Sequence, residues 1–445
     1  MAKKLPNILF FGMDSLRRDH MSHYGYHRLT TPHISAYAKG GVTFENCFSP
    51  HIPTTPGYAN MVTGRDCFGT GVVGLTQKKI VEGVPVLAEM LRERGYDTTC
   101  IGFEGNAAGR GYDKYISFPG WGPDHDDGRA HKAQNLNEVA IPEMERLAKG
   151  DKPWLLFLRH MDPHSPYLAP QPFQDMFWQG DGFDPNDKRM QKVYDFKPFG
   201  DYIGSWVPKG LTNPDYVIAQ YDAAVAYMDA AIQQILVKLR HLGLEEDTIV
   251  VFTSDHGETL YDPTLVVPFI VVWKNHLPGG VRIGDTMQLK DITPTLLDMM
   301  GVDTGLPFEG RSLMPLITGG HREKEDEFYI TECTWMRKHG WRTPEWKLMI
   351  SLEPDFHYKP PVELYNLVND PEEYDNLAES RPETVKLLTE KMNAFIEKRV
   401  RETGRPSPIE VNFLRPEGPF KTSDEAYAGK YIGGIADAVA LQKKG

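Results

Sequence analysis

The chain has 445 residues, 40% of them hydrophobic and 11% aromatic, which is enough for one large domain and a smaller one. Its 49 basic and 61 acidic residues give a net charge of −12, which argues against a nucleic-acid partner bound through a basic face. An anionic ligand would therefore need local positive charge from a metal ion or from helix N-termini.

The N-terminus and the cysteines indicate the cellular compartment. The first apolar run stops at Asp14 without a small-residue cleavage site, so it is read as a strand and not as a signal peptide. No segment approaches the roughly 18 apolar residues of a membrane span. The four cysteines are widely spaced, as expected of buried thiols. We therefore expect a cytoplasmic protein without a membrane partner.

Five short apolar runs, rich in branched and aromatic residues, predict strands covered on both faces of a parallel sheet. They are residues 7–13 (NILFFGM), 98–103 (TTCIGF), 154–161 (WLLFLRHM), 248–254 (TIVVFTS) and 267–273 (VPFIVVW). Helical patterns at 84–96 and 216–243 each precede one of these strands. The alternation predicts an α/β fold with a large, mostly parallel sheet sandwiched by helices.

Changes in pattern suggest how the chain is divided. Residues 1–320 form the predicted α/β domain, which includes a proline- and glycine-rich excursion at 168–215. Long excursions of this kind often serve as lids or subunit contacts. Short strand patterns and an amphipathic helix predict a small α+β subdomain over 321–404, followed by an extended tail over 405–445. The excursion and the tail are the segments through which a homo-oligomer would form.

Three of the predicted strands end in polar residues. The first stops at Asp14, the third is followed by Asp162 and His164, and the fourth by Asp255 and His256. Because the carboxyl ends of parallel strands share one edge, where ligands bind, these side chains predict a single polar site. The polar residues after any one strand are also typical of an ordinary loop, but three strands with similar endings disfavour that interpretation.

Asp14, Asp255 and His256 form a ligand set suited to one divalent cation. Ca²⁺ and Mg²⁺ prefer oxygen ligands, so the imidazole favours Mn²⁺ or Zn²⁺ while leaving the other two open. A structural histidine is the alternative for His256, and its position directly after a buried strand disfavours it.

The stretch "PTTPGY" places two hydroxyls before a predicted helix over about residues 55–63, since proline is preferred in a first helical turn. The helix N-terminus would face an anion beside the threonines. A hydroxyl that touched the metal would lose its proton more easily and become a nucleophile. The residues alone leave open whether Thr54 or Thr55 does this or only caps the helix.

Motifs over most of the first 400 residues resemble the sulfatase family of the alkaline phosphatase superfamily. They are "PNILFFGMDSLRRDHMSHYGYHRLTTP", "MVTGRD", "DPHSPY", "FTSDHGE", "QLKDITPTLLDMMG", "FEGRSLMPLI" and "ELYNLVNDPEEYDNLA". The resemblance implies that family's fold for the catalytic domain, with a hydrolase activity on small anionic esters.

The resemblance also implies roles for particular residues. Asp14, Asp255 and His256 match metal ligands, and the family's nucleophile lies ten residues before the glycine of "TG", which selects Thr54 by counting back from Gly64. His164 matches a histidine that contacts the anion or protonates the leaving oxygen. Two weaker candidates are Asn106, as a further anion contact, and Asp162, as a supporting residue or part of a second metal site for which no third ligand is evident.

Departures from the family pattern bear on the chemistry. Sulfatases of this family oxidise a Cys or Ser in a C/S-x-P-x-R motif to formylglycine, whereas this chain has Thr54 there and Tyr58 in place of the arginine. Ser15 stands where many relatives have a second metal-binding aspartate. A threonine at this position resembles instead the nucleotide pyrophosphatase/phosphodiesterases, the phosphonoacetate hydrolases and the phosphoglycerol or phosphoethanolamine transferases of the superfamily. The metal set of one threonine, two carboxylates and one histidine is most similar to that of the one-metal transferases and the phosphonate monoester hydrolases.

The sequence therefore predicts a metal-dependent hydrolase of phosphodiesters or phosphonate monoesters, with Thr54 as nucleophile and His164 assisting the leaving group. Sulfate ester hydrolysis without formylglycine is one alternative. A phosphotransferase or mutase is another. A catalytically inactive binding protein is the third, which the retained set of Asp14, Thr54, Asp255 and His256 disfavours.

Overall fold

The computed structural model describes residues 5–75, 77, 79–103, 109–257, 262–333, 336–413 and 418–430. The strands are Asn7–Met13 (β1), Val42–Phe48 (β2), His51–Ile52 (β3), Asp97–Ile101 (β4), Lys114–Ile116 (β5), Trp154–His160 (β6), Thr248–Thr253 (β7), Val266–Val272 (β8), Val281–Gln288 (β9), Phe328–Glu332 (β10), Lys338–Arg342 (β11), Trp346–Ser351 (β12) and Val362–Asn366 (β13). The α-helices are Pro32–Ala38 (α1), Thr54–Thr63 (α2), Cys67–Thr70 (α3), Leu87–Arg92 (α4), Lys132–Ala148 (α5), Gln191–Asp195 (α6), Lys197–Gly204 (α7), Asp215–His241 (α8), Asp262–Leu265 (α9), Ile292–Met300 (α10), Met314–Ile317 (α11), Pro382–Thr403 (α12), Pro408–Val411 (α13) and Ser423–Lys430 (α14).

The central sheet has eight strands in the order β5-β4-β6-β1-β7-β8-β2-β9. β1 lies in the middle and runs parallel to both β6 and β7. β8 runs antiparallel to its neighbours β7 and β2, although its apolar run predicts a strand of a parallel sheet. Six of the seven residues of β8 are buried, so its apolar run reflects cover on both faces and carries no information about strand direction. The predicted α/β class with a large, mostly parallel sheet is confirmed.

Helices cover both faces of this sheet, as the continuous apolar strands predict. All seven residues of β1 are buried. Phe10 belongs to the core under α2, α4 and α10, and Phe11 to the core under α1, α5 and α8. This double burial fixes the position of β1, and therefore of Asp14 at its carboxyl end. No helix in the described ranges is long and apolar enough to cross a membrane.

A second sheet has the order β13-β12-β11-β10-β3. Its strands β10 to β13 are antiparallel, and α12 packs on one face through Leu388 and Met392. The short strand β3, which ends two residues before Thr54, pairs in parallel with β10. The second sheet is thus attached directly to the segment that leads into α2.

The excursion and the tail meet on this side of the protein. Phe196 and Phe199 of the excursion pack against Phe356, together with Phe420 and Tyr427 of the tail. The described part of the tail therefore packs on its own chain. The excursion contains α6 and α7 and is not a structureless loop.

Candidate active site

The adjacency of β6, β1 and β7 brings the three predicted strand endings to one edge of the sheet. Met13 is the register partner of His160, and the backbone N–H of Asp14 donates to the carbonyl of His160 at 3.0 Å. On the other side, Gly12 is the partner of Thr253, which lies two residues before Asp255. Asp14 therefore lies between the endings of its two neighbours.

Asp14, Asp255 and His256 form the one group of metal-type ligands found among the described residues, with ligand atoms all within 4.8 Å of one another. Asp14 is 1% exposed and Asp255 is fully buried. Burial, reinforced by the nearby Asp14 carboxylate, raises the pKa of Asp255. Two carboxylates held this closely in a buried place favour a cation between them.

The hydrogen bonds of the group fit a divalent cation. Asp255 Oδ1 accepts from the backbone N–H groups of Ser15 at 3.2 Å and His256 at 2.9 Å, while its Oδ2 is buried and has no hydrogen-bond partner among the residues that the structure describes. His256 Nδ1 donates to the carbonyl of Gly257 at 2.6 Å, which leaves Nε2 as the unprotonated nitrogen. An orphaned carboxylate oxygen and a neutral imidazole nitrogen are the donors that such an ion needs.

Ser15 holds the two carboxylates together through a strained turn. Its φ of 61° lies in the left-handed region, which costs a non-glycine residue about 1–2 kcal/mol. The Ser15 hydroxyl donates to Asp14 Oδ1 at 2.9 Å, and the Tyr221 hydroxyl donates to the Ser15 carbonyl at 2.8 Å. Strain retained by this many contacts is typical of functional sites.

The two threonine hydroxyls have different surroundings. Thr54 Oγ1 lies 3.1 Å from His256 Nε2, beside the metal-type cluster. Thr55 Oγ1 donates instead to the carbonyl of Leu75 at 2.8 Å. The N-cap position of α2 is Pro53, so neither hydroxyl caps the helix. Only Thr54 is therefore placed where an anion beside the cluster would meet a hydroxyl.

Helix α2 packs against the cluster with almost no clearance. A Cβ added at Gly57 would lie 2.5 Å from the carbonyl oxygen of Asp255. The glycine thus permits the first turn of α2 to rest on the Asp255 backbone. The helix N-terminus, where unpaired N–H groups favour an anion, is held at the cluster.

Asp162 and His164 follow β6, the strand beside β1, and among the described residues neither makes a hydrogen bond to this cluster. Asp162 accepts from the N–H of Ala133 at 3.0 Å, at the start of α5, and lies 3.8 Å from the ammonium of Lys132. Burial raises the pKa of Asp162 to about 6. Asp162 thus anchors the loop that carries His164, and it is absent from the metal-type group.

His164 is held at its backbone and at its ring. Lys132 donates to the carbonyls of His164 at 2.6 Å and Pro166 at 3.1 Å. His164 Nδ1 donates to the carbonyl of Ser165 at 2.7 Å, and the ring meets Trp121 edge to face at 5.3 Å. Trp121 is 54% exposed, so the imidazole lies beside an indole that solvent and ligands reach.

The remaining candidate, Asn106, lies outside the described residues. Sequence reasoning also did not find Lys132 or Trp121. Neither belongs to a motif, and a lysine at the start of an amphipathic helix ordinarily predicts a solvated position. Only the packing of α5 against the loop after β6 reveals that Lys132 is buried.

Comparison with known proteins identifies the family of the chain. The family profile described as Sulfatase matches residues 6–302, and the one described as N-sulphoglucosamine sulphohydrolase, C-terminal, matches residues 256–401. The choline-sulfatase of Rhizobium meliloti is 24% identical over 85% of this chain and 84% of its own. The ulvan-active sulfatase of Formosa agariphila is 26% identical over 73% of this chain and 67% of its own.

Solved structures share the fold. The phosphonate monoester hydrolase of Agrobacterium radiobacter superposes with a TM-score of 0.69 at 21% identity, over 88% of this chain and 96% of that one. Enzymes of this superfamily use a divalent metal ion, and the relatives are named for the hydrolysis of sulfate or phosphonate esters. Because the Sulfatase profile covers more than half of the chain, the protein belongs to the sulfatase family and is a hydrolase of ester bonds.

Proposed function

We propose that the protein hydrolyses phosphodiesters or phosphonate monoesters with Thr54 as the nucleophile. The observation that carries this proposal is the 3.1 Å separation between Thr54 Oγ1 and His256 Nε2, at the N-terminus of α2. A threonine Cβ bears a methyl group and cannot be oxidised to the aldehyde of formylglycine. A hydroxyl that attacks directly is the chemistry of phosphoryl transfer in this superfamily.

Asp14, Asp255 and His256 would hold one divalent cation, with Thr54 beside it. Two carboxylates and an imidazole favour Mn²⁺ or Zn²⁺ over Ca²⁺ and Mg²⁺. When bound, such an ion lowers the pKa of a hydroxyl it contacts and offsets the charge of the substrate's oxygens. The N-terminus of α2 adds N–H donors that orient the same anion.

Two half-reactions complete the chemistry. In the first, Thr54 Oγ bonds to phosphorus, the bond to the leaving oxygen breaks, the Thr54 proton passes to solvent, and protonated His164 supplies a proton to the leaving alkoxide. In the second, water bonds to phosphorus and gives a proton to His164 while the Thr54–phosphorus bond breaks and Thr54 regains its proton. The sum is ester plus water to alcohol plus acid.

A cavity near the strand that leads into Thr54 would hold the organic group of the substrate. A space of about 320 Å³ against the second sheet is lined in part by Ile52, two residues before Thr54, and by Phe199 of α7. Three residues further along α7, the Tyr202 hydroxyl donates to Ser165 Oγ at 3.0 Å, next to His164. Small-ligand pockets begin at about 300 Å³, so this space suits the alcohol part of a small ester.

The test compares aryl phosphodiester, phosphonate monoester and sulfate ester hydrolysis by the Mn²⁺-loaded protein. We expect Thr54→Ala to lose at least about a thousandfold in kcat, as removal of a nucleophile does, and Thr54→Ser to retain part of it. Intact mass after a substrate pulse should show a phosphoryl or phosphonyl adduct on wild type and none on Thr54→Ala. Full activity in Thr54→Ala would refute the assignment.

Sulfate ester hydrolysis without formylglycine is the second candidate, favoured by the profile match and by the names of the relatives. Preferred turnover of the sulfate ester in the same assay would select it. Adding an alcohol acceptor tests the transferase alternative, because a transferase would give the exchanged ester in place of the hydrolysis product.

A further inference from the structure

A guanidinium is buried beside the candidate site and forms no ion pair with a carboxylate among the described residues. Arg159 on β6 is fully buried, and its register partner on β1 is Gly12, two residues before Asp14. Its Nη1 donates to the carbonyl of Phe103 at 3.2 Å and to the hydroxyl of Tyr115 at 3.3 Å. Within the described ranges, Nε and Nη2 have no hydrogen-bond partner. Because arginine stays charged, this part of the core holds a positive charge without an ion-pair partner in those ranges, which is costly to folding.

The surroundings are shaped to hold this charge. The Arg159 Cζ lies 4.3 Å from the ring centre of Tyr58 and 4.0 Å from that of Phe103, so two aromatic faces enclose it. A Cβ at Gly102 would lie 2.8 Å from the Cβ of Arg159, and one at Gly12 would lie 3.0 Å from the Tyr58 ring. The strands on both sides of β6 therefore need glycine here: Gly12 in β1, and Gly102 directly after β4.

Tyr58 connects this charge to the candidate site. It follows Thr54 by one turn of α2, so the two side chains lie on the same side of the helix. The Tyr58 hydroxyl is buried and would lie 3.1 Å from a Cβ at Gly12. Gly12 and Asp14 are on the same face of β1, because side chains alternate along a strand. The Arg159–Tyr58 pair thus lies directly under Thr54 and Asp14.

We propose that Arg159 is a positioning residue whose fixed positive charge favours the substrate's oxyanion beside Thr54. This role of Arg159 rests on the proposed function only in that an anionic substrate binds beside Thr54. It holds for phosphate and sulfate esters alike. A charge in a water-excluded site acts at longer range than one in solvent, because little screening separates it from the anion. A residue kept for packing alone would be better replaced by an apolar side chain of the same length.

The decisive variant is Arg159→Met, which keeps the length and removes the charge. Binding of inorganic phosphate to the Mn²⁺-loaded protein is measured by calorimetric titration. We expect Arg159→Met to bind phosphate about ten- to a hundredfold more weakly than wild type, because the variant loses one positive charge near a partly buried anion. The midpoint of urea unfolding should stay level or rise, because an unpaired buried charge is removed. Tyr115 still donates to the Phe103 carbonyl at 2.5 Å, so neither group is orphaned. Arg159→Lys, which restores the charge, should recover most of the phosphate affinity.

Arg337→Met is the matched control. Arg337 is also buried, but its Nε donates to Glu353 Oε1 at 2.7 Å. Its removal should lower stability by orphaning a buried carboxylate while leaving phosphate binding unchanged.

Two results would overturn the proposal. One is unchanged phosphate affinity in Arg159→Met, and the other is equal loss of affinity in Arg159→Met and Arg159→Lys. Because phosphate binding is measured without turnover, it stands apart from the Thr54→Ala test. Full activity of Thr54→Ala would remove the proposed nucleophile and leave the binding result intact.

Discussion

Replacement of Lys132 by methionine tests how the His164 loop is held. Lys132 is 1% exposed and begins α5. One ammonium serves three acceptors, namely the carbonyls of His164 and Pro166 and, at 3.8 Å, the carboxylate of Asp162. Asp162 is itself buried, and when the lysine is removed the N–H of Ala133 is the hydrogen-bond donor that remains to it among the described residues. The variant therefore leaves a buried carboxylate without the cation that lies beside it in wild type.

The expected loss depends on pH. At pH 8, breaking a buried ion pair should lower the free energy of unfolding by about 3–5 kcal/mol. Burial raises the pKa of Asp162 to about 6, and Lys132 opposes that rise. A carboxyl with a raised folded-state pKa contributes stability at low pH that is lost as pH increases through that value. At pH 5 the carboxyl is protonated and needs no cation, so the loss should be smaller there by at least about 1 kcal/mol.

The assay is urea unfolding of wild type, Lys132→Met, Asp162→Asn and the double variant at pH 5 and pH 8. The extra loss at pH 8 should vanish in the double variant, since an asparagine does not ionise. Lys132→Met should also have a lower kcat than wild type, because the His164 carbonyl loses its hydrogen bond from the Lys132 ammonium. Equal destabilisation at the two pH values would refute the electrostatic reasoning and leave Lys132 as a packing residue.

Two further predictions concern the metal-type cluster. Gly57→Ala should lower the free energy of unfolding by about 1–3 kcal/mol, since its Cβ would lie 2.5 Å from the Asp255 carbonyl, whereas Gly204→Ala, with nothing within 4 Å, should be neutral or stabilising in the same urea titration. Chelation should lower the melting temperature and Mn²⁺ should restore it. In Asp255→Asn we expect Mn²⁺ to have no such effect and the metal-free protein to melt higher, because repulsion from Asp14 is gone.

Much of the sheet was predictable because its central strands carry continuous apolar runs. The runs at 7–13, 154–161 and 248–254 match β1, β6 and β7 to within one residue. Their order in the sheet follows no local rule, yet any parallel arrangement brings their carboxyl ends to one edge. The shared edge was therefore predictable from strand direction, whereas the close approach of Asp14 to Asp255 and His256 also required β1 and β7 to be neighbours.

Strands of mixed composition in the central sheet were not predicted. β9, with the sequence VRIGDTMQ, lies at the sheet edge and is only partly buried, so it lacks the apolar run that marks a covered strand. β2 carries polar residues at its bulge against β8. The burial of Lys132 and Arg159 was equally hidden, because each depends on contacts with segments more than 25 residues away.

The local sequence pattern predicts where the candidate hydroxyls lie, but tertiary contacts are needed to identify Thr54 as the one beside the cluster. The stretch "PTTPGY" offers two hydroxyls, and only their contacts with remote residues distinguish them: Thr54 with His256, Thr55 with Leu75. The close contact of Gly57 with Asp255 makes the first turn of α2 and the cluster one rigid unit. A shift of α2 would therefore displace the proposed nucleophile and a proposed metal ligand together. Substitutions that move this helix should change metal affinity and kcat in parallel, whereas those in the His164 loop should change kcat alone.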